Sequence, residues 1–117
     1  MKDNNILEKS YSFGLRIVKL FVHLRDKRIE RTLLLQLLRS GTSVGANTEE
    51  AVGAQTKKDF ITKINIAYKE AREVHYWLRL LRDSEMLEPK LAESYLIEAE
   101  ELKKILASIL KTSRSDL

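Results

Sequence analysis

Apolar residues recur at steps of three and four along almost the whole chain, and little in it can break a helix. Phe13, Ile17, Leu20 and Leu24 share one face. So do Leu33, Leu37, Ser40, Val44, Asn47 and Ala51, then Phe60, Ile64, Ala67, Ala71, Val74, Leu78 and Leu81, then Leu91, Tyr95, Leu102, Ile105 and Ile109. This is the period of an α-helix with one buried stripe, and no segment shows the alternation of a strand. One proline and four glycines in 117 residues supply few stops, so the helices should be long. The expected fold is all-α: an antiparallel up-down-up-down four-helix bundle, one domain over residues 1–117, with helices at about 10–27, 30–52, 57–82 and 88–112.

Local signals set these limits. Ser10 or Ser12 can cap the first helix, Gly53 can stop the second, Thr56 can cap the third, and Pro89 suits the first turn of the fourth. The polar tail from Thr112 to Leu117 should fray. The stretch from Arg39 to Asn47 is a poor helix former, rich in Ser, Thr and Gly. Its unbroken stripe still favours a helix whose small residues admit a close neighbour, with a kink near Gly41 or Gly45.

Composition narrows the function classes. Cysteine is absent, which leaves no disulfide and no thiolate metal site. Met1 to Asn5 carry no apolar run of a signal peptide, and no stretch approaches the ~18 apolar residues that cross a bilayer. A cytoplasmic protein with no membrane partner is expected. The net charge of +4 permits contact with a polyanion without requiring it.

The residues Gln36-Leu-Leu-Arg-Ser-Gly-Thr-Ser-Val-Gly-Ala-Asn47, Glu50-Ala51, Lys58-Asp59-Phe60, Lys69-Glu-Ala-Arg-Glu73 and Tyr76-Trp77-Leu78 resemble the bacterial four-helix bundle protein family, also called 23S rRNA intervening-sequence proteins. The resemblance covers nearly the whole chain. It implies a bundle that assembles into a ring, usually a pentamer. The chain is also similar to the accessory protein of diversity-generating retroelements, a basic pentameric barrel that engages nucleic acid and a reverse transcriptase. No catalytic activity is carried over by either likeness.

The catalytic constellations in the chain are weak. A di-metal carboxylate site needs Glu-x-x-His pairs, and neither His23 nor His75 stands three residues after a glutamate. No metal or cofactor is therefore expected, although Glu70, Glu73 and Glu98 could form a looser cation site. Pairing of these carboxylates with Arg39, Arg72 or a neighbouring subunit is the better reading. Arg16 and His23 have the spacing of one helical-bundle ribonuclease family, histidine acting on a proton and arginine on a phosphate. Any basic helix supplies that spacing, so the expectation is a protein that is not an enzyme.

Three surface features remain. Arg16, Lys19, His23 and Lys27 form a basic stripe on the first helix, the candidate nucleic-acid contact. Leu15, Val18 and Val22 on the first helix, with Ile66, Trp77 and Leu80 on the third, lie off the core stripes and mark subunit contacts. Arg39, Ser43, Asn47, Glu50, Glu70, Glu73 and Glu98 form a candidate polar network. Glu98 falls in the core phase of the last helix and should be paired there with Arg39, His75 or Asn47. The leading expectation is a homo-oligomer that binds RNA or DNA; the alternative is a structural adaptor for a protein, and a ribonuclease comes third.

Overall fold

The structure, a computed structural model, describes residues 2–115, with side chains from residue 5 onward. Four helices account for it: α1 (Lys2–Asp26), α2 (Arg31–Val52), α3 (Lys57–Asp83) and α4 (Pro89–Ser115). Each helix packs on its neighbours in sequence, and α1 closes the square by touching α4, the least extensive of the four contacts. Residue pairs running in opposite order, Ile17 with Gly41 and Ser10 with Gly45, fix α1 antiparallel to α2. Arg39 with Glu70 and Glu50 with Lys63 do the same for α2 and α3. Up-down-up-down topology follows, with α1 and α3 running in the same direction.

The helix ends obey local chemistry. Thr56 Oγ1 accepts the Asp59 amide at 3.0 Å, as expected of a cap. Glu30 caps α2 by accepting the Thr32 amide at 2.9 Å, and Glu88 caps α4 through the amides of Lys90 and Leu91. Residues Arg28 (φ 61°) and Glu85 (φ 63°) turn the chain after α1 and α3 in the left-handed region. In both turns the next amide reaches back five residues, Ile29 to Leu24 at 3.1 Å and Met86 to Leu81 at 2.9 Å, which is the Schellman closure.

Two boundaries differ from expectation. Helix α1 begins at Lys2, a full two turns before Ser10, and carries the buried Ile6 on its core face. Ser10 is no cap: it is buried at the α1–α2 crossing and donates its hydroxyl to the Leu7 carbonyl at 3.3 Å. Helix α4 runs to Ser115, so the tail is helical from Thr112 to Ser115; Asp116 and Leu117 lie outside the described residues.

The core stripes of α1 and α3 are as read from the sequence, with Phe60 only half-buried. Helix α2 is rotated slightly: Leu34 and Thr48 are buried, whereas Leu33 and Asn47 are half-buried. On α4 the stripe is Ala92, Tyr95, Leu96, Ala99, Leu102, Leu106 and Leu110. Leu91, Ile105, Ile109 and Glu98 therefore sit at its edge, and no carboxylate interrupts the core. Each large aliphatic side chain so buried contributes about 1.5–3 kcal/mol.

The small residues of α2 do admit a close neighbour. Gly41 and Gly45 face α1, with Ile17 side-chain atoms and the Ser10 carbonyl packed where a Cβ would stand. Ser40 and Thr48 bury their hydroxyls by bonding back to Gln36 and Val44 carbonyls at 2.7 and 2.8 Å. The helix runs continuously through this segment.

Candidate nucleic-acid and assembly surfaces

The four lateral faces of the bundle differ in chemistry. The α1–α4 face is strapped by ion pairs. Arg16 pairs with Glu98, donates to Ser94 Oγ at 3.1 Å, and lies 4.0 Å from the centroid of the Tyr95 ring. Tyr95 in turn donates its hydroxyl to the Arg16 carbonyl at 3.1 Å, and burial holds its ionisation above the usual phenol value. Lys9 joins Glu101 at 3.2 Å on the same face. Glu98 is thus partnered, but by Arg16 and not by Arg39, His75 or Asn47.

This redistributes the basic stripe. Arg16 is turned onto α4, while Lys19, His23 and Lys27 are exposed and make no ion pair with any described residue. Arg28 and Arg31, at the entry to α2, are exposed and equally unpaired; Arg25 pairs with its neighbour Asp26, at 3.4 Å, and lies over the Phe21 ring, 6.0 Å from its centroid. The cationic surface therefore runs along the outer half of α1 and around its end. Arg31 was missed as a candidate because it opens α2, off the periodic stripe of α1.

On the α2–α3 face, Arg39 bridges Glu70, at 2.8 Å, and Glu73. Trp77 donates its indole N–H to Glu73 at 3.0 Å. That indole bond, followed by the guanidinium of Arg39, holds the Glu73 carboxyl below the usual range despite partial burial. The Glu70 bond, then the Glu73 bond, raise the Arg39 guanidinium above its ordinary value. Of the expected polar network, only Arg39, Glu70 and Glu73 come together. Ser43 and Asn47 bond within their own helix, to the carbonyls of Arg39 and Ser43, and Glu50 pairs with Lys63 at 2.8 Å. Glu98 lies on a different face, so the looser cation site is not assembled. Among the described residues no three His, Asp or Glu side chains converge where a metal ion could sit.

The α3–α4 face holds a groove of about 600 Å³ lined by His75, Arg79, Arg82, Glu93, Glu100 and Lys104 among others. Its charges alternate in sign and offer no net field for an anion. His75 Nε2 stands 3.7 Å from Glu100, beyond hydrogen-bond reach, and burial followed by the Arg79 cation lowers its pKa below 6.5.

The α1–α2 face is apolar. Tyr11, Leu15 and Val18 line a groove of about 430 Å³ with Gly14, Thr42 and Ala46. Val22 continues the row, and all four of Tyr11, Leu15, Val18 and Val22 are exposed. A second exposed pair, Ile66 and Leu80, brackets Glu73 at heptad spacing on α3, beside the half-buried Trp77. Of the residues marked as subunit contacts, Leu15, Val18, Val22, Ile66 and Leu80 thus lie exposed on two faces that share α2, whereas Trp77 packs partly against the core. No helix of the described residues is long and apolar enough to cross a membrane.

Comparison with known proteins agrees with this architecture. The family model described as 23S rRNA-intervening sequence protein matches residues 2–108. A crystal structure from Bacteroides thetaiotaomicron, a protein of unknown function from the S23 ribosomal protein family, superposes with a TM-score of 0.92 at 47% identity, covering 95% of this chain and 99% of that one. None of the curated proteins matches. With a family model spanning nearly all of its length and a close structural counterpart, the chain belongs to the 23S rRNA-intervening sequence protein family.

Proposed function

We propose that the protein is a non-enzymatic, homo-oligomeric scaffold that binds nucleic acid, RNA foremost, through the outer surface of α1. The observation that carries this reading is the run of exposed, unpaired cations Lys19, His23, Lys27, Arg28 and Arg31, unmatched by acidic partners apart from Asp26 and Glu30 nearby. Such a surface attracts phosphates without reading bases. Assembly would repeat it around the particle and strengthen the field over that of one subunit. The family's name refers to 23S rRNA, which favours RNA over DNA. Arg16, committed to Glu98 and Tyr95, is not free to steady a phosphate beside His23, so the ribonuclease reading loses its cation. Replacing Lys19 and Lys27 together by Ala should weaken binding to unrelated RNA sequences alike. Unchanged affinity would favour an adaptor whose partner is a protein.

A further inference from the structure

The geometry points to a second RNA contact on the outer ridge of α3, which holds unpaired bases by stacking them on Tyr76. This rests on the reading above in taking RNA as the ligand, and it names the kind of RNA, a single strand. Lys69, Arg72, Tyr76 and Arg79 follow one another at steps of three and four, so they share one exposed face. Helix α3 has sorted its charges. Glu70 and Glu73, in the same span, turn toward α2 and are held there by Arg39 and Trp77. Lys69, Arg72 and Arg79 turn outward and make no ion pair with any described residue. Asp83, the acid at the end of the ridge, is taken by Arg82.

The aromatic rings give this cationic row its chemistry. The Arg72 guanidinium lies 5.8 Å from the centroid of Tyr68 and donates to its hydroxyl at 3.2 Å, while the Arg79 guanidinium lies 5.8 Å from the centroid of Tyr76. Tyr68 packs against the core and steadies Arg72, whereas Tyr76 is 46% exposed. Trp77 meets Tyr76 in a T-shaped contact, with centroids 5.1 Å apart, and is itself tied to Glu73. Tyr76 therefore rests on a fixed neighbour, and Arg72 and Arg79 flank it at about 5–6 Å between Cβ atoms. A ring so placed takes a base on its face and leaves the adjoining phosphates to the arginines. Charge alone would suit any polyanion; the exposed ring is what favours bases. Inside a duplex those base faces are covered by their neighbours, so the ridge selects unpaired RNA.

The ridge is separate from the surfaces described above. Helices α1 and α3 are the diagonal pair of the bundle and make no close backbone contact, so their outer sides point apart. Arg72 and Arg79 stand more than a quarter-turn of helix from Ile66 and Leu80, toward α4, where Arg79 borders the α3–α4 groove. Variants of one surface can thus be made without touching the others.

A labelled oligouridylate and a blunt RNA duplex of equal length, titrated by fluorescence anisotropy, test the assignment. Tyr76→Ala should weaken binding of the oligouridylate about tenfold, through loss of a stacked base, and leave binding of the duplex unchanged. Tyr76→Leu keeps an apolar side chain without a flat ring and should lose as much, whereas Tyr76→Phe should bind as wild type does. Circular dichroism confirms that each variant folds. Full affinity for the oligouridylate in Tyr76→Ala or Tyr76→Leu, or a loss that extends equally to the duplex, overturns the stacking site. Replacing Lys19 and Lys27 together by Ala separates this from the α1 reading and should weaken both RNAs. If that variant binds both as wild type does while Tyr76→Ala loses the single strand, the α1 contact falls and the stacking site stands. Wild type that binds neither RNA overturns both.

Discussion

At Gly41 the crossing of α1 over α2 leaves no space for a side chain: a Cβ there would stand 2.8 Å from both Cγ1 and Cγ2 of Ile17. Ile17 is fully buried and has no room to retreat. Alanine would gain about 1 kcal/mol in helix propensity. Overpacking should cost about 1–3 kcal/mol and outweigh that gain. Gly41→Ala should therefore lower the midpoint of denaturant unfolding, and Gly45→Ala likewise, because its Cβ would meet the Ser10 carbonyl at 3.1 Å. Gly14, whose Cβ would find nothing nearer than 4.0 Å, is the internal contrast and should tolerate alanine.

Arg16 serves as a strap, so its removal should be felt in stability. Its ion pair with Glu98 is about a third exposed on each side, which keeps the pair near about 0.5–1 kcal/mol. Stacking on Tyr95 adds a similar amount. Arg16→Ala should destabilise by about 1–2 kcal/mol, and a double-mutant cycle with Glu98→Ala should return a coupling of about 0.5–1 kcal/mol. No coupling would mean that the pair does not form in solution. RNA affinity should change less in Arg16→Ala than in Lys19→Ala.

Much of this fold is legible in the sequence, because a bundle needs only period and breakers. The seam of α3 could be read directly. The phase of α4 could not: two apolar rows overlap there, sharing Tyr95 and Leu102, and the bulkier Leu91, Ile105 and Ile109 outweighed the small Ala92 and Ala99 that occupy the core. That slip placed Glu98 in the interior. Serine is ambiguous for a different reason. It caps helices and also bonds back within them, so Ser10 suggested a start where α1 has a middle. Pairing of Arg16 with Glu98 spans a separation of 82 residues and depends on the angle of α4, which local pattern does not encode.

The left-handed residue of the α1–α2 turn offers a test that separates stability from binding. Arg28 holds φ 61°, a conformation that glycine adopts without a Cβ penalty. Arg28→Gly should raise stability by about 1 kcal/mol. It should weaken RNA binding, since it removes one of the exposed cations. Glu85→Gly, at φ 63° in the matching turn after α3, should give the stability gain alone. Thermal melts beside RNA titrations of both variants check the pair.

Stability should fall on acidification. The folded state lowers the pKa of His75 by burial and by the Arg79 cation, so the unfolded chain binds that proton more readily. Its contribution is present above the ordinary histidine value of 6.5 and is lost as pH falls through the lower folded value. Glu73 behaves alike in the carboxylate range, its indole and guanidinium bonds favouring the charged form. His75→Gln should flatten the melting profile just below pH 6.5, and Glu73→Gln should flatten it only in the more acidic range. A profile that rises on acidification would refute both assignments.

The central claim, that the outer face of α1 contacts a polyanion, is tested most directly by the salt dependence of RNA binding. Wild type is titrated against one mixed-sequence RNA at several concentrations of monovalent salt. Each cation that neutralises a phosphate releases condensed counterions, so the logarithm of the affinity should fall linearly with the logarithm of salt concentration. The slope on a single strand should be about 0.7 per contact. The account predicts a slope of at least about 2, reduced by roughly one contact in each of Lys19→Ala and Lys27→Ala. Absence of binding at low salt, or an affinity that salt leaves unchanged, would contradict it.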